Sequence, residues 1–405
     1  MVRTPAVGFV LACVFLDALG IGLIIPVLPR LVGTLAASPD DQAVWYGAIM
    51  VSYGLMQFFS APAIGAISDR IGRRPVLLTG ILGLAVMMLV PAFCDSLWLI
   101  LLSRILGGAM SSNIVVAQAY IADVTEAEKR TAAFGRIGAI FGIAFILGPA
   151  AGGMLGETDP SRPFLLAGLI CAANFLYGLL VLPESLRSPA REPFTLKRFN
   201  PFSSLLALSR ERLVLPVLVV ITLYTLSQSL MQCTWALYTE FRYDWTPKMI
   251  GISIFVLGAA ITVTQGWILP RLSARLSPMK LVLTGLFCGF TALVGIGLSA
   301  AGTFLLPLLA LFSLMGVVGP TLQSAISRTG SSTTQGVRLG AASSLNSFTG
   351  AVSPLLGTPL LFFTSQSAPT DPAAGTPYFL AALLVLAAIL LTILLPPPSG
   401  SGNTH

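Results

Sequence analysis

The chain has 405 residues, of which 55% are hydrophobic and only 10% are charged. Soluble domains carry about 25% charged residues, so this composition excludes an ordinary soluble protein. Repeated runs of about 20 apolar residues are long enough to cross a bilayer as helices, and they indicate an integral membrane protein.

Twelve apolar runs predict membrane-spanning helices. They lie near residues 7–29, 44–66, 76–94, 97–121, 134–156, 163–182, 213–238, 248–269, 280–300, 303–326, 339–363 and 378–396. The first run lacks a small-residue cleavage site, so we expect a membrane helix and not a signal peptide. The polar stretch 184–212 separates six helices from six. We therefore predict an all-α fold with an N-terminal six-helix bundle (1–183), a cytoplasmic linker (184–212) and a C-terminal six-helix bundle (213–398).

The net charge of +7 is distributed unevenly between alternate loops. If the N-terminus is cytoplasmic, the cytoplasmic loops hold 18 Lys and Arg residues and the opposite loops hold four. Such an excess is the positive-inside signal, so both termini are expected in the cytoplasm. Because membrane topology explains the excess of Lys and Arg, we expect no nucleic-acid partner.

The two predicted bundles share short similarities at a nearly constant spacing. Gly65–Gly80 aligns with Pro270–Gly285 at an offset of 205 residues, and Arg136–Gly138 aligns with Arg338–Gly340 at an offset of 202. Parallel six-helix repeats are one known transporter plan, in which the substrate site lies between the halves near the membrane midplane. The repeat predicts two pseudo-symmetric bundles around a central cavity.

Asp17 is the most informative site candidate, because it lies about 15 Å into the first helix, close to the bilayer centre. An ionised carboxylate is costly there, so Asp17 is expected to exchange protons near neutral pH or to contact the substrate. Arg104, about 10 Å into the fourth helix, also needs a partner. A structural Asp17, paired with Arg104 or capping backbone, and a structural Arg104 are the alternatives.

A loop rich in Gly and Arg follows the second predicted helix and reads Gly65-Ala-Ile-Ser-Asp-Arg-Ile-Gly-Arg-Arg-Pro75. Asp69 can accept hydrogen bonds from the N-terminus of a neighbouring helix, where the helix dipole favours negative charge. We predict a cytoplasmic gate in which Arg70, Arg73 and Asp123 complete a network of charges. Anchoring by the positive-inside rule alone would account for the arginines but not for Asp69.

The fifth predicted helix is rich in glycine and contains Gly148-Pro149. Small residues four apart let helix backbones approach closely, and a proline inside a helix kinks it. We predict that Gly148 and Pro149 form a close helix contact that takes part in gating. Generic tight packing is the alternative.

Polar side chains within the predicted helices are the candidates for a substrate cavity. They are Tyr53, Gln57, Asn113, Gln118, Gln228, Gln232, Trp235, Gln323 and Asn346. A large, mostly apolar pocket with a few hydrogen-bonding groups suits amphipathic small molecules. The expected partners are therefore a small-molecule substrate, protons and the lipid bilayer.

Four segments resemble the major facilitator superfamily, and within it the twelve-helix drug/proton antiporters of the tetracycline-efflux type. They are Leu16–Pro29, the loop Gly65–Pro75, Ser103–Gly108 with Tyr120–Asp123, and Gly138–Gly156. The resemblance implies proton transfer at Arg104, a helix near Arg338–Gly340 as the partner of Asp69, and an interface between halves at Gly148-Pro149. It also implies a multi-pass protein of the bacterial inner membrane that acts in antibiotic resistance.

The chain departs from the tetracycline exporters at ionisable groups that they carry in helices 3, 8 and 9. The corresponding stretches are Ala85-Val-Met-Met88, Ala259-Ala-Ile-Thr262 and Phe287-Cys-Gly289. A metal chelate needs oxygen or nitrogen ligands, so a magnesium–tetracycline substrate is not expected. We expect a proton-coupled antiporter that exports small amphipathic compounds by alternating access, as a monomer without metal or cofactor.

Three other functions compete with the expected antiporter. Proton-coupled uptake or export of a specific metabolite or siderophore-like solute is the first alternative. An integral-membrane enzyme is not expected, because the predicted spans contain no histidine, no clustered Asp/Glu pair and no metal-ligand spacing. A non-transporting sensor is the remaining alternative.

Overall fold

The computed structural model describes residues 7–111, 113–125, 130–186, 215–322, 345, 348–368 and 370–394. These residues form helices and short connections, and no β-strand occurs among them. The helices up to residue 186 are α1 (Val7–Ile24), α2 (Leu28–Leu35), α3 (Pro39–Ile71), α4 (Arg73–Phe93), α5 (Leu97–Met110), α6 (Asn113–Val124), α7 (Arg130–Gly156) and α8 (Arg162–Val181).

The remaining helices follow after the predicted linker. They are α9 (Leu215–Tyr243), α10 (Pro247–Val263), α11 (Leu269–Ser273), α12 (Pro278–Leu298), α13 (Leu305–Ser313), α14 (318–322), α15 (348–357), α16 (Leu361–Gln366) and α17 (Thr376–Leu394). A π-helical turn, Thr264–Ile268, joins α10 to α11. Short 3-10 turns occupy Gly302–Phe304, Leu314–Val317 and Pro372–Gly375.

Eleven helical segments in the described part of the chain are long and apolar enough to cross a membrane. The predicted span at 134–156 lies in α7, whose stretch Gly142–Gly156 is a shorter apolar helix. Hydropathy therefore located the membrane helices, because a bilayer core accepts only segments whose backbone polar groups are satisfied within a helix.

Helix ends differ from the predicted spans where local chemistry overrides hydropathy. α1 ends at Ile24, five residues early, because Pro26 has no N–H to continue the helix. α3 extends well beyond the predicted 44–66, and the Ser38 hydroxyl caps it by accepting from the Asp41 N–H at 3.1 Å. The predicted span 97–121 is interrupted between Met110 and Asn113.

Cα spacing divides the chain into two compact units. The first unit is Met1–Pro201 with Ala236–Gly258, and the second unit is Phe202–Trp235 with Ala259–His405. In the first unit α1 packs against α7 and α8, α4 packs against α8, and α3 packs against α5. In the second unit α12 packs against α17 and α13. The division into bundles 1–183 and 213–398 stays a prediction.

Candidate functional site

Asp17 is held by amide groups from two other helices. Asn174 Nδ2, on α8, donates to Asp17 Oδ1 at 2.9 Å, and Asn113 Nδ2, on α6, donates to Asp17 Oδ2 at 3.3 Å. Asn174 is fully buried and also donates to the Cys13 carbonyl oxygen at 3.0 Å. Both oxygens of this carboxyl group therefore have neutral donors.

Glycines bring these helices close enough for the amides to reach Asp17. A Cβ atom built on Gly80 of α4 would collide with Asn113 Oδ1. A Cβ on Gly20 of α1 would lie 3.2 Å from Cys171 Sγ on α8. Because glycine has no side chain, α4 can lie this close to α6, and α1 this close to α8.

Arg104 lies on α5 and is 4% exposed. Its guanidinium carbon is 5.2 Å from the ring centre of Phe164 on α8, a cation–π distance. Its Nε and Nη2 atoms have no hydrogen-bond partner among the described residues, and no ion pair joins it to Asp17. The Asp17–Arg104 pairing that the sequence left open is therefore absent.

Tyr53, on α3, is near both of these charged residues. It is close enough to Arg104 and to Asp17 for electrostatic interaction. A Cβ on Gly108 would collide with the Tyr53 carbonyl oxygen, so α3 and α5 touch here. Asp17, Asn113, Asn174, Tyr53 and Arg104 are hereafter the central polar cluster. It can bind a proton at Asp17 and polar atoms of a small molecule at its free donors.

The other predicted cavity residues lie on α3, α6 and α9 or outside the described part of the chain. Gln57 is half-buried on α3, and Gln118 is exposed on α6. On the α9 segment of the second unit lie Gln228, Gln232 and Trp235, the last of which meets Tyr378 edge-on at 6.2 Å. Gln323 and Asn346 fall outside the described residues.

A second site lies at the turn between α3 and α4. The buried Arg73 pairs with Asp69 Oδ1 at 2.6 Å and with Asp123 Oδ2 at 3.1 Å. Its Nη1 also donates to Ser68 Oγ at 2.6 Å. We call Ser68, Asp69, Arg73 and Asp123 the charge cluster. Arg70 is exposed beside it, and the predicted helix partner of Asp69 near Arg338–Gly340 falls outside the described residues.

Glu184 completes this site and was missed by the sequence analysis. Its Oε1 accepts from the Arg73 N–H at 2.9 Å and its Oε2 from the Arg74 N–H at 3.1 Å. α4 has no side-chain cap of its own, because it begins after Gly72, whose φ is +109°. The first N–H groups of a helix need hydrogen-bond acceptors. That need was the signal in the sequence that could have pointed to an acid at the start of α4. Ser185 Oγ then donates to Asp123 Oδ2 at 3.0 Å.

α7 makes close contact with two helices through glycines. A Cβ on Gly148 would lie 2.8 Å from the Gly22 Cα atom of α1. On its other side, a Cβ on Gly153 would collide with the Pro247 carbonyl oxygen, and one on Gly251 with that of Pro149. A Cβ on Gly152 would likewise collide with the Leu23 carbonyl oxygen. We call Gly148, Gly152 and Gly153 of α7, with Gly22 of α1 and Gly251 of α10, the glycine seam. The structure thus places Gly148 and Pro149 in a close contact, while their gating role stays a prediction.

A half-buried acid near the end of α9 was also missed. The predicted seventh span stops at 238, but α9 continues to Tyr243 and includes Glu240. Glu240 Oε1 accepts from Gln42 Nε2 at 3.2 Å, and the same amide donates to the Pro29 carbonyl oxygen at 2.9 Å. Arg242, expected in an outer loop, is buried on α9 and donates to the Tyr238 hydroxyl at 2.7 Å.

Comparison with known proteins gives one consistent family. The model of the Major Facilitator Superfamily matches residues 10–358. The chain is 34% identical to the class C tetracycline resistance protein of Escherichia coli, over 88% of this chain and 90% of that protein. It is 35% identical to the class D protein of Salmonella ordonez, over 90% of this chain and 91% of that protein.

A solved structure agrees with the sequence relatives. The crystal structure of the human organic anion transporter MFSD10 (TETRAN) is 25% identical, with a TM-score of 0.69, over 95% of this chain and 98% of that chain. The predicted resemblance to the tetracycline-efflux type, the all-α two-bundle fold class and the assignment as a transporter and not an enzyme are confirmed. The chain belongs to the Major Facilitator Superfamily.

Proposed function

We propose that this multi-pass membrane transporter is a proton-coupled antiporter that exports small amphipathic compounds, with Asp17 as its proton-binding residue. The observation that carries the proposal is the hydrogen bonding of Asp17 to Asn113 and Asn174. A carboxylate paired with a buried arginine cannot take up a proton without leaving that cation unpaired. Neutral amide donors impose no such penalty, so Asp17 is free to exist in both protonation states during transport.

Proton-coupled antiport by alternating access requires that protonation and substrate binding exclude each other. In this proposal Asp17 takes up a proton from outside and releases it inside, while the substrate leaves in the opposite direction. Residues 1–183 would rock against 213–398, and the charge cluster with Arg70 would close the cytoplasmic side. Arg104 would add a fixed positive charge to the proton site, and the glycine seam would be the contact about which helices move.

The expected location is the bacterial inner membrane, with both termini in the cytoplasm and the protein acting as a monomer. The distribution of Lys and Arg between alternate loops supports this topology. The bacterial relatives support a role in antibiotic resistance, because their names concern tetracycline resistance. The human relative, an organic anion transporter by its title, also supports a small organic substrate.

A magnesium–tetracycline chelate is not the substrate that we propose. The stretches Ala85–Met88, Ala259–Thr262 and Phe287–Gly289 contain no carboxylate or histidine that could act as a ligand. Neutral or weakly charged hydrophobic compounds fit the predicted cavity residues better, since these supply amides, hydroxyls and aromatic rings. Direction-resolved flux in vesicles separates this export from uptake of a specific metabolite.

The decisive experiment measures accumulation of a panel of dyes and antibiotics in cells that express wild type or Asp17→Asn, with and without an uncoupler. We expect uncoupler-sensitive exclusion of several compounds by wild type and none by Asp17→Asn, at equal expression. Asp95→Asn is the matched control, because Asp95 is an exposed acid in the loop before α5. Active exclusion by Asp17→Asn at the wild-type rate would remove Asp17 from the coupling mechanism.

A further inference from the structure

One half-buried acid has no role in the mechanism described above. Glu240 is half-buried near the end of α9, and its Oε1 atom accepts a hydrogen bond from the Gln42 amide at 3.2 Å. Its Oε2 atom is buried and has no hydrogen-bond partner among the described residues. A buried carboxylate oxygen without a hydrogen-bond partner is costly when the group is ionised.

The Gln42 amide connects three helices at this point. It donates to Glu240 on α9 and, at 2.9 Å, to the Pro29 carbonyl oxygen on α2. The Gln42 side chain is 7% exposed, and it lies over Gly33, where a Cβ atom would be 2.7 Å from Nε2. The amide is therefore held in one position by α2, so the contact with α9 depends on the state of Glu240.

This contact and the charge cluster lie at opposite ends of the same helix. Gln42 is in the first turn of α3 and Asp69 is in its last turn. The two residues are 27 positions apart, about 40 Å along the helix at 1.5 Å per residue, which is the full thickness of a bilayer. Because the positive-inside rule places the charge cluster in the cytoplasm, the Gln42–Glu240 contact is expected at the outer surface.

We propose that Glu240 is a second proton-binding residue, and that its hydrogen bond to Gln42 is a proton-controlled lock on the outer end of the first unit. A hydrogen bond to an ionised carboxylate is about twice as strong as one between neutral groups. The ionised side chain therefore ties α9 to Gln42, whereas the protonated side chain holds it weakly. Uptake of a proton from outside releases the contact and frees the end of α9 from α2 and α3.

Charged groups near Glu240 also bear on the pH dependence of this contact. Arg30 on α2 and Asp244 at the end of α9 are close enough to act on it electrostatically. Arg242, two residues further along α9, lies over the rings of Tyr238 and Tyr243, each 5.7 Å from its guanidinium carbon. From α3 the contact is the neutral amide of Gln42, so Glu240 is the titratable member of this hydrogen bond.

The test is hydrogen–deuterium exchange of the full-length protein in lipid nanodiscs at pH 5 and pH 8, with exchange times scaled for the intrinsic rate. In wild type we expect segment 25–42 to exchange about 10-fold faster at pH 5, the effect of weakening one charge-assisted hydrogen bond. Glu240→Gln keeps the size of the side chain and removes its titration, so it should exchange rapidly at both pH values.

Two further variants keep the proposal testable if Glu240→Gln does not fold. Gly33→Ala pushes the Gln42 amide away, and Gln42→Leu removes it, and both should abolish the pH step while leaving Glu240 in place. Asp95→Asn should retain the wild-type step. Equal exchange of wild type at the two pH values, or a full pH step in Glu240→Gln, would overturn the proposal. Since no substrate or gradient is present, the result does not depend on proton-driven export.

Discussion

Glu184 caps the helix that begins at Arg73. Its carboxylate accepts the N–H groups of Arg73 and Arg74 at 2.9 and 3.1 Å, where the helix dipole favours negative charge. The Arg73 side chain at the same time joins Asp69 to Asp123. The start of the predicted cytoplasmic linker is thus bonded to the same residue that organises the charge cluster, so the two features form one structure.

Glu184→Gln is expected to weaken the cap, because a neutral amide oxygen accepts less strongly than a carboxylate and the favourable dipole interaction is lost. We expect a loss of stability of about 1 kcal/mol, measured as a lower thermal midpoint of the purified protein. The control is Asp95→Asn, which removes an exposed acid outside any helix. Equal thermal midpoints for the two variants would show that capping by Glu184 does not stabilise the protein.

Asp69→Ala should slow transport without much change in ligand affinity. The substitution removes one of the two carboxylates on Arg73 and leaves Asp123 in place, so closure of the charge cluster is weakened while the central polar cluster is untouched. Turnover in proteoliposomes and equilibrium binding of the same compound give the two quantities. A tenfold loss of affinity at normal turnover would instead place this loop in the binding site.

Arg73 and Arg104, both buried, should respond in opposite ways to loss of charge. Arg104→Met removes a guanidinium whose Nε and Nη2 atoms have no partner in the described chain, so stability should be unchanged or increased. Arg73→Met leaves two carboxylates without their cation, and we expect a loss of about 2 kcal/mol. Thermal midpoints of the ligand-free variants provide the measurement. A clear loss of stability in Arg104→Met would make Arg104 a structural anchor.

Gly148→Ala should destabilise the packing of α7 against α1. The new Cβ atom would lie 2.8 Å from the Gly22 Cα atom and 3.0 Å from the Leu19 carbonyl oxygen, and backbone cannot move aside as a side chain can. Overpacking of this kind costs about 1–3 kcal/mol. Gly142→Ala on the same helix is the matched control, because its Cβ would have no atom within 4 Å. Yield and thermal midpoint should fall for Gly148→Ala alone.

The sequence was sufficient for the features that depend on local composition. Hydropathy located the membrane helices, and the cost of a buried carboxylate singled out Asp17 before its partners were known. The loop Gly65–Pro75 with Asp123 predicted a network of charges, and the structure brings Asp69, Arg73 and Asp123 together. Helix ends were less predictable, because hydropathy registers neither the capping hydrogen bond of Ser38 nor the missing N–H of Pro26.

The residues that were missed, or whose contacts were missed, act through partners far away in the chain. Glu184 meets Arg73 across 111 positions, Asn174 meets Asp17 across 157, and Glu240 meets Gln42 across 198. Asn174 lies in the predicted span 163–182, but nothing in one sequence says which buried acid it faces. Glu240 lies two residues beyond the predicted end of the seventh span at 238, whereas α9 continues to Tyr243.

The glycine seam bears on how such a transporter can acquire new substrates. Gly148, Gly152 and Gly153 leave α7 no room for one extra methyl group toward α1 on one side or α10 on the other. Substitutions there alter the distance between helices before they alter any binding surface. Laboratory evolution toward new substrates should therefore leave Gly148, Gly152 and Gly153 unchanged and accumulate its changes at side chains outside the glycine seam.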